Sequence, residues 1–218
     1  MHAEQEFMTQ IITACLALLL LAACSPGTKP VSSPESQSTS KAPSKPAEYQ
    51  TGRVSFQKMY LSARGWAADA QPFRLQSQFS AEAPTSEGKA GMWRGSFASP
   101  SERMMKLFLW SGLVGPDAPE LGITFSAEDS WNPNNNSAHV FDLGFLKIDS
   151  DKAYEAAQKH GGDKLVEKNP KQPVFFVLDW DTQKSELVWH VIYGNSQDEA
   201  KLRIAVSATS GEFLRVEK

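Results

Sequence analysis

Four runs of alternating apolar residues follow Asn169-Pro170, and they limit what this chain can fold into more than any other feature. Val174, Phe176, Leu178 and Trp180 alternate with Phe175, Val177 and Asp179. Leu187, Trp189, Val191 and Tyr193 form a second run, and Leu202, Ile204, Val206 and Ala208 a third. Leu214 and Val216 follow the turn Thr209-Ser210-Gly211. A period of two places one side of each run in a core. Ahead of them, Asp149-Ser150-Asp151 offers capping side chains to a helical run through Ala153, Tyr154, Ala156 and Ala157. His160-Gly161-Gly162 is expected to stop it, since glycine takes the left-handed conformation that ends helices, and a polar segment then leads to Pro170. Helix first and short-turn strands after it predict an α+β unit with the helix on one face of an antiparallel sheet.

The preceding part of the chain repeats this organisation. Phe56, Met59, Tyr60, Ala63 and Ala67 fall on one helical stripe that must end near Asp69 to Gln71, ahead of Pro72. Phe73, Leu75 and Phe79 then alternate with Arg74, Gln76 and Gln78. Strand-like segments follow at Gly91 to Phe97, at Met105 to Trp110, and at Leu121, Ile123 and Phe125. Trp93 with Phe97 mirrors Trp189 with Tyr193. Two related units are expected, 51–138 and 139–218, packed by sheet edge or sheet face into one cooperative body. Either unit alone is near the size at which a single core is marginal. Between them lie a polar loop around Trp131 and a linking strand or packed connector through Val140, Phe141, Leu143, Phe145 and Leu146.

The stretch KIDSDKAYEAAQKH entering the helix, LVWHVIYG as a middle strand and LRIAVSATSGEFLRVEK as a closing hairpin resemble the PepSY family of small bacterial envelope domains. The resemblance covers about the last third of the chain. It implies the same helix-plus-sheet fold and a link to peptidases, since PepSY-like domains occur in protease propeptides and are thought to inhibit or chaperone peptidases. It assigns that role to no particular residue.

The beginning of the chain addresses location. Ile11 to Ala23 is an apolar run too short to span a bilayer, and it fits the apolar region of a signal peptide over 1–23. It ends in Leu21-Ala22-Ala23-Cys24, which looks like a bacterial lipobox whose cysteine thiol is alkylated by diacylglycerol. The segment before the run has no Lys or Arg and carries Glu4 and Glu6, both of which a start at Met8 would remove. Ser25, rather than aspartate, follows the cysteine, which by resemblance to Gram-negative sorting favours the outer membrane, facing the periplasm. Residues 24–50 are rich in Ser, Pro and Lys and read as a disordered tether, about 28 Å long for a coil of that length.

Charge excludes one class of partner. The whole chain carries −3, and no basic stripe is present to meet phosphates, so nucleic acid is not expected. Chemistry is sparse. Beyond His2, the histidines His139, His160 and His190 fall in three elements, and no second His or Cys stands at ligand spacing, so neither a metal site nor a cofactor is expected. Asp179 and Asp181 share a strand face and could draw a cation or act as an acid–base pair, but Thr182-Gln183-Lys184 reads as a solvated turn beside them. His190 reads as a half-exposed strand histidine. No G-x-S-x-G and no glycine-rich phosphate loop occur. An enzyme is therefore not expected, although Asp179, Asp181 and a histidine clustered in one cleft would revive that reading.

Trp110 and Trp131 are the candidate partner anchors, as exposed aromatics; the alternative for each is to cover a helix or the other repeat. The leading expectation is a non-catalytic envelope lipoprotein, anchored through Cys24, that binds a protein or peptide. The alternative is a carrier of a small hydrophobic ligand between helix and sheet or between the units. A large unfilled pocket would favour the carrier, and a well-packed interior with a surface groove the binder.

Overall fold

The computed structural model describes residues 47–80, 84–194 and 198–217. The expected signal peptide, Cys24 and all but the end of the expected tether lie outside the described residues. Helix α1 (Gly52–Trp66) buries Phe56, Met59 and Ala63 on the stripe that the sequence spacing defines. It ends where Ala67 turns extended and donates back to the Ala63 carbonyl, so Pro72 falls in a strand instead. The strands of the first half are β1 (Gln50–Thr51), β2 (Gln71–Ser77), β3 (Lys89–Ala90), β4 (Met92–Ser99), β5 (Met104–Ser111), β6 (Gly122–Phe125) and β7 (Asp129–Ser130). The second half holds helices α2 (Ser150–Ala157) and α3 (Asp163–Lys168), then β8 (Val174–Asp181), β9 (Glu186–Gly194), β10 (Ala200–Ser207) and β11 (Phe213–Glu217). One antiparallel sheet runs β11-β10-β9-β8-β2-β4-β5-β6, with β7 also on β5, while β1 pairs with β3 apart from it.

That order is palindromic: each half contributes a helix and a four-stranded meander, and the halves join edge to edge through β2 and β8. Register makes the relation close to a two-fold axis. Trp93 pairs with Ser77 and Trp189 with Leu178, so Gln76 and Val177 hold matching places in their halves. Those two residues face each other across the seam. The indoles match as well. Trp93 Nε1 donates to the Gln50 carbonyl at 2.9 Å, and Trp189 Nε1 donates to the Ile148 carbonyl at 2.9 Å. Each acceptor lies two residues ahead of a helix.

The helix starts consequently meet on the axis. Asp149, the N-cap of α2, accepts from its own Ser150 N–H at 2.7 Å and from the Arg53 N–H of α1 at 2.8 Å, while the Thr51 hydroxyl donates to its other oxygen. Ser150 Oγ accepts from the Gly52 N–H at 2.8 Å and donates to the Gly88 carbonyl. Helix N-termini leave N–H groups without intrahelical partners, and here one Asp-Ser pair serves two helices. Gly52 has to be glycine, because a Cβ there would stand 2.7 Å from the Trp189 ring.

The helices α1, α2 and α3 lie on one face, over a single core that spans the halves. Phe56, Met59, Trp93, Phe97 and Phe108 continue into Phe176, Trp189, Tyr193 and Ile204. Trp93 and Trp189 meet edge to face, with ring centroids 6.3 Å apart. The linking segment is a packed connector rather than a strand: it buries Phe141 and Leu146 around a 3₁₀ turn at Leu143–Phe145.

Two local expectations need correction. Gly161 does take a positive φ of 109°, but the chain recovers into α3 over a stretch that reads as polar, because Leu165 and Val166 rest against the core. Phe79 lies past the end of β2 and is exposed, its ring tilted against that of Phe175.

Replacing Asp149 with alanine should cost about 2 kcal/mol, two cap losses of about 1 kcal/mol each, read as a shift in the urea midpoint. A loss below 0.5 kcal/mol would mean that the shared cap contributes nothing to holding the halves together.

Candidate functional site

The face of the sheet away from the helices carries the polar half of the strand pattern. Cross-strand register places its residues in rows: Arg74 opposite Asp179, Val177 opposite His190, His190 opposite Ala205, and Ala205 opposite Arg215. Ala205 is small, so side chains on β9 and β11 reach each other over β10.

An ion-pair ladder results. The Arg74 guanidinium donates to Asp179 Oδ2 at 2.7 and 3.2 Å. His190 bridges two carboxylates, with Nε2 3.1 Å from Asp179 and Nδ1 2.7 Å from Glu217. Arg215 donates to Glu217 at 2.7 Å and to Asp181 at 3.0 Å. Asp181 also accepts from the Gln183 and Lys184 N–H groups, which closes the β8–β9 turn. Burial opposes a charge on His190, but the hydrogen bonds it donates to Asp179 and Glu217, with their charges, outweigh it and raise its pKa to about 9. Burial would raise the carboxyls of Asp179 and Glu217; hydrogen bonds and charge from His190, with the neighbouring arginines, hold both below the usual range instead.

Asp179, Asp181 and a histidine therefore do come together, on an open sheet face rather than in a cleft. The chemistry is nonetheless that of a strut. An imidazolium with both N–H groups engaged offers no lone pair to a substrate proton. His190 is also more enclosed than expected, its side chain 15 % exposed. His139 stacks on Trp180 and His160 on Phe213, far from sharing a site with it in register. Among the described residues no group of three or more His, Cys, Asp or Glu could hold a metal ion.

The two tryptophans expected to be exposed are not. Trp110 is 3 % exposed: it pairs with Trp93 in register, on the helix-facing side beside Phe108. Trp131 is 8 % exposed, because its indole donates to the Ala138 carbonyl and its ring completes a small cluster with Phe73 and Ala98 on the other face. The polar loop hides its one aromatic as an anchor for itself. Cys24 lies outside the described residues.

What sequence reading missed is Arg94. It stands on the helix-free face opposite Gln76 and Leu109, with Leu107 and Thr124 nearby in register. Its side chain makes no hydrogen bond, ion pair or ring contact among the described residues. Burial and the charge of Arg74 both lower its pKa, the mark of a cation without a counter-charge. Its alternation with Trp93 was a usable signal for the face, but not for the missing partner. Elsewhere the described surface holds depressions of about 310 to 410 Å³ around the first half. One of about 330 Å³ is lined by Trp66, Phe108, Ile123 and Phe125.

No protein-family model matches the chain, and no curated protein does. The fold is similar to a crystal structure of a putative lipoprotein from Clostridium difficile 630, with a TM-score of 0.50 and 13% identity over 78% of this chain and 94% of that one.

The ladder sets a pH dependence. His190 has a folded pKa raised above its ordinary 6.5, so its contribution to stability is complete below pH 6.5 and is lost as pH rises through about 9. Urea midpoints should fall between pH 6.5 and 9.5 in the native sequence, and His190→Gln should flatten that fall. Ring carbon shifts that titrate near pH 6.5 would contradict the bridged imidazolium.

Proposed function

We propose that this protein is a non-catalytic lipoprotein of the bacterial cell envelope, anchored through Cys24, whose helix-free sheet face binds an extended segment of a protein partner. The observation that carries the reading is the one-sidedness of the sheet. Eight strands share a face that no α-helix covers; the loop around Trp131 packs on part of it, and elsewhere in the first half it presents half-buried Leu107, Leu109, Gln76 and Arg94 side by side. Such a surface suits an extended chain laid across or along the strands. The lipobox ahead of a Ser/Pro/Lys tract supports the anchor, as does a fold neighbour described as a putative lipoprotein. No helix of the described residues is long and apolar enough to cross a membrane. Ser25 favours outer-membrane placement, and the PepSY resemblance favours a peptidase-related partner.

The carrier of a small hydrophobic ligand is the second reading. The depression between Trp66, Phe108 and Phe125 favours it, while the packed aromatic core between helices and sheet leaves that ligand no interior site there.

Two measurements separate these. Metabolic labelling with an alkyne palmitate should mark the native chain and not Cys24→Ser; a label that persists in the variant would remove the anchor. A photo-crosslinking amino acid at position 109 should give protein adducts in the intact envelope, whereas one at the exposed position 61 on α1 should give none. Lipid adducts alone, from either position, would favour the carrier.

A further inference from the structure

The two-fold relation between the halves makes Arg94 and His190 equivalents. Each follows a core tryptophan, Trp93 or Trp189, and each points a cation to the helix-free face. Their surroundings differ: Leu109 stands where Ala205 does, Gln76 where Val177 does, and the flanking carboxylates differ too. His190 is held by Asp179 on one side and Glu217 on the other. Carried through the strand registers, the place of Asp179 is taken in the first half by Gln78, and that of Glu217 by Ser126. Both are uncharged. The first half keeps the cation and lacks the two carboxylates.

Among the described residues, the neighbouring ladder carboxylates are already engaged. Asp179 is shared between Arg74 and His190, and Asp181 between Arg215 and the turn. Gln76 and Ser96, beside Arg94 on the same face, likewise have no side-chain hydrogen bond among the described residues. A guanidinium, an amide and a hydroxyl thus stand unspent next to Leu107 and Leu109. Five guanidinium N–H donors suit carboxylate oxygens in particular.

We propose that Arg94 is a recognition site for carboxylates supplied by the partner, which take the role that Asp179 and Glu217 take around His190. The inference rests on the peptide-binding reading above and names the partner's chemistry: an extended segment bearing acidic side chains among apolar ones. A phosphate-dense membrane or nucleic acid fits less well, because the neighbouring ladder balances three carboxylates against three cations and adds no net positive charge to hold a continuous sheet of phosphates, whereas one short acidic segment need only meet Arg94. Leu107 and Leu109 supply the apolar contact that such a segment would cover.

The test uses the full chain and an array of ten-residue peptides carrying two Glu among Leu, Thr and Ser, each with a matched peptide in which Gln replaces Glu. Phosphatidylglycerol vesicles are run alongside. The Glu peptides should bind at least tenfold more tightly than their Gln partners, and Arg94→Gln should abolish that preference. Because the Arg94 side chain has no partner among the described residues, the same variant should melt at an unchanged or higher temperature, which a structural arginine would not do. Gln78→Glu provides a second route with Arg94 intact: the new carboxylate should occupy the site from within and suppress the preference tenfold. Equal binding of Glu and Gln peptides, or a preference that survives Arg94→Gln, overturns the carboxylate site and leaves peptide binding standing. Binding to the vesicles with no peptide bound overturns both.

Discussion

Strand β2 meets β8 over three residue pairs, Arg74 with Asp179, Leu75 with Leu178 and Gln76 with Val177, and every other strand of the sheet hangs to one side or the other of that short seam. Three pairs of backbone contacts are little to join two four-stranded meanders. The seam is reinforced from both faces. On the helix side, Trp93 lies against Trp189 and the Asp149-Ser150 pair ties the start of α1 to that of α2. On the other face the Arg74–Asp179 ion pair crosses the seam itself. Ser77 adds a bond from the Phe176 N–H to its hydroxyl at 3.0 Å. Burial of large aromatic rings provides most of the attraction, and the directional bonds fix the register, since a slip of one residue would turn Leu75 and Leu178 to the wrong face.

The ion-pair ladder is easier to understand as a specifier of that register than as a large source of stability. Partly buried charges give back in desolvation much of what they gain by attraction. They do so only when every member is matched, and the members here come from β2, β8, β9 and β11. A mispaired sheet would strand several charges at once. Against that economy Arg94 is an exception, and exceptions to local consistency concentrate where a protein meets something else.

Much of the fold is legible in the sequence. The stripe Phe56, Met59, Ala63 gives α1, the alternating runs give the long strands, and the match of Trp93–Phe97 with Trp189–Tyr193 announces the repetition. These are local periodicities, and local physics enforces them. The candidate site was less legible because it depends on which strands become neighbours. Arg74 and Asp179 are 105 residues apart in sequence, and nothing in either segment marks them as a pair. Trp131 was misread for the same reason: a polar loop gives no sign that its one indole will be drawn under it by Phe73 and Ala98. The helix α3 was hidden by its Lys and Glu residues, since only Leu165 and Val166 touch the core.

The antiparallel seam has one more property. With its two-fold axis between Gln76 and Val177, it is self-complementary: the edge that β2 offers is the kind of edge that β2 itself could accept. A single unit of one helix and four strands could therefore assemble the same sheet with a second copy of itself, as a symmetric dimer. In such a dimer any substitution appears twice, and a site closed in one subunit is closed in both. Joining the two copies in one chain lifts that restriction. One half can then settle its charges internally while the other leaves the matching position open, and asymmetry of this kind is available only to a pair that no longer shares a single sequence.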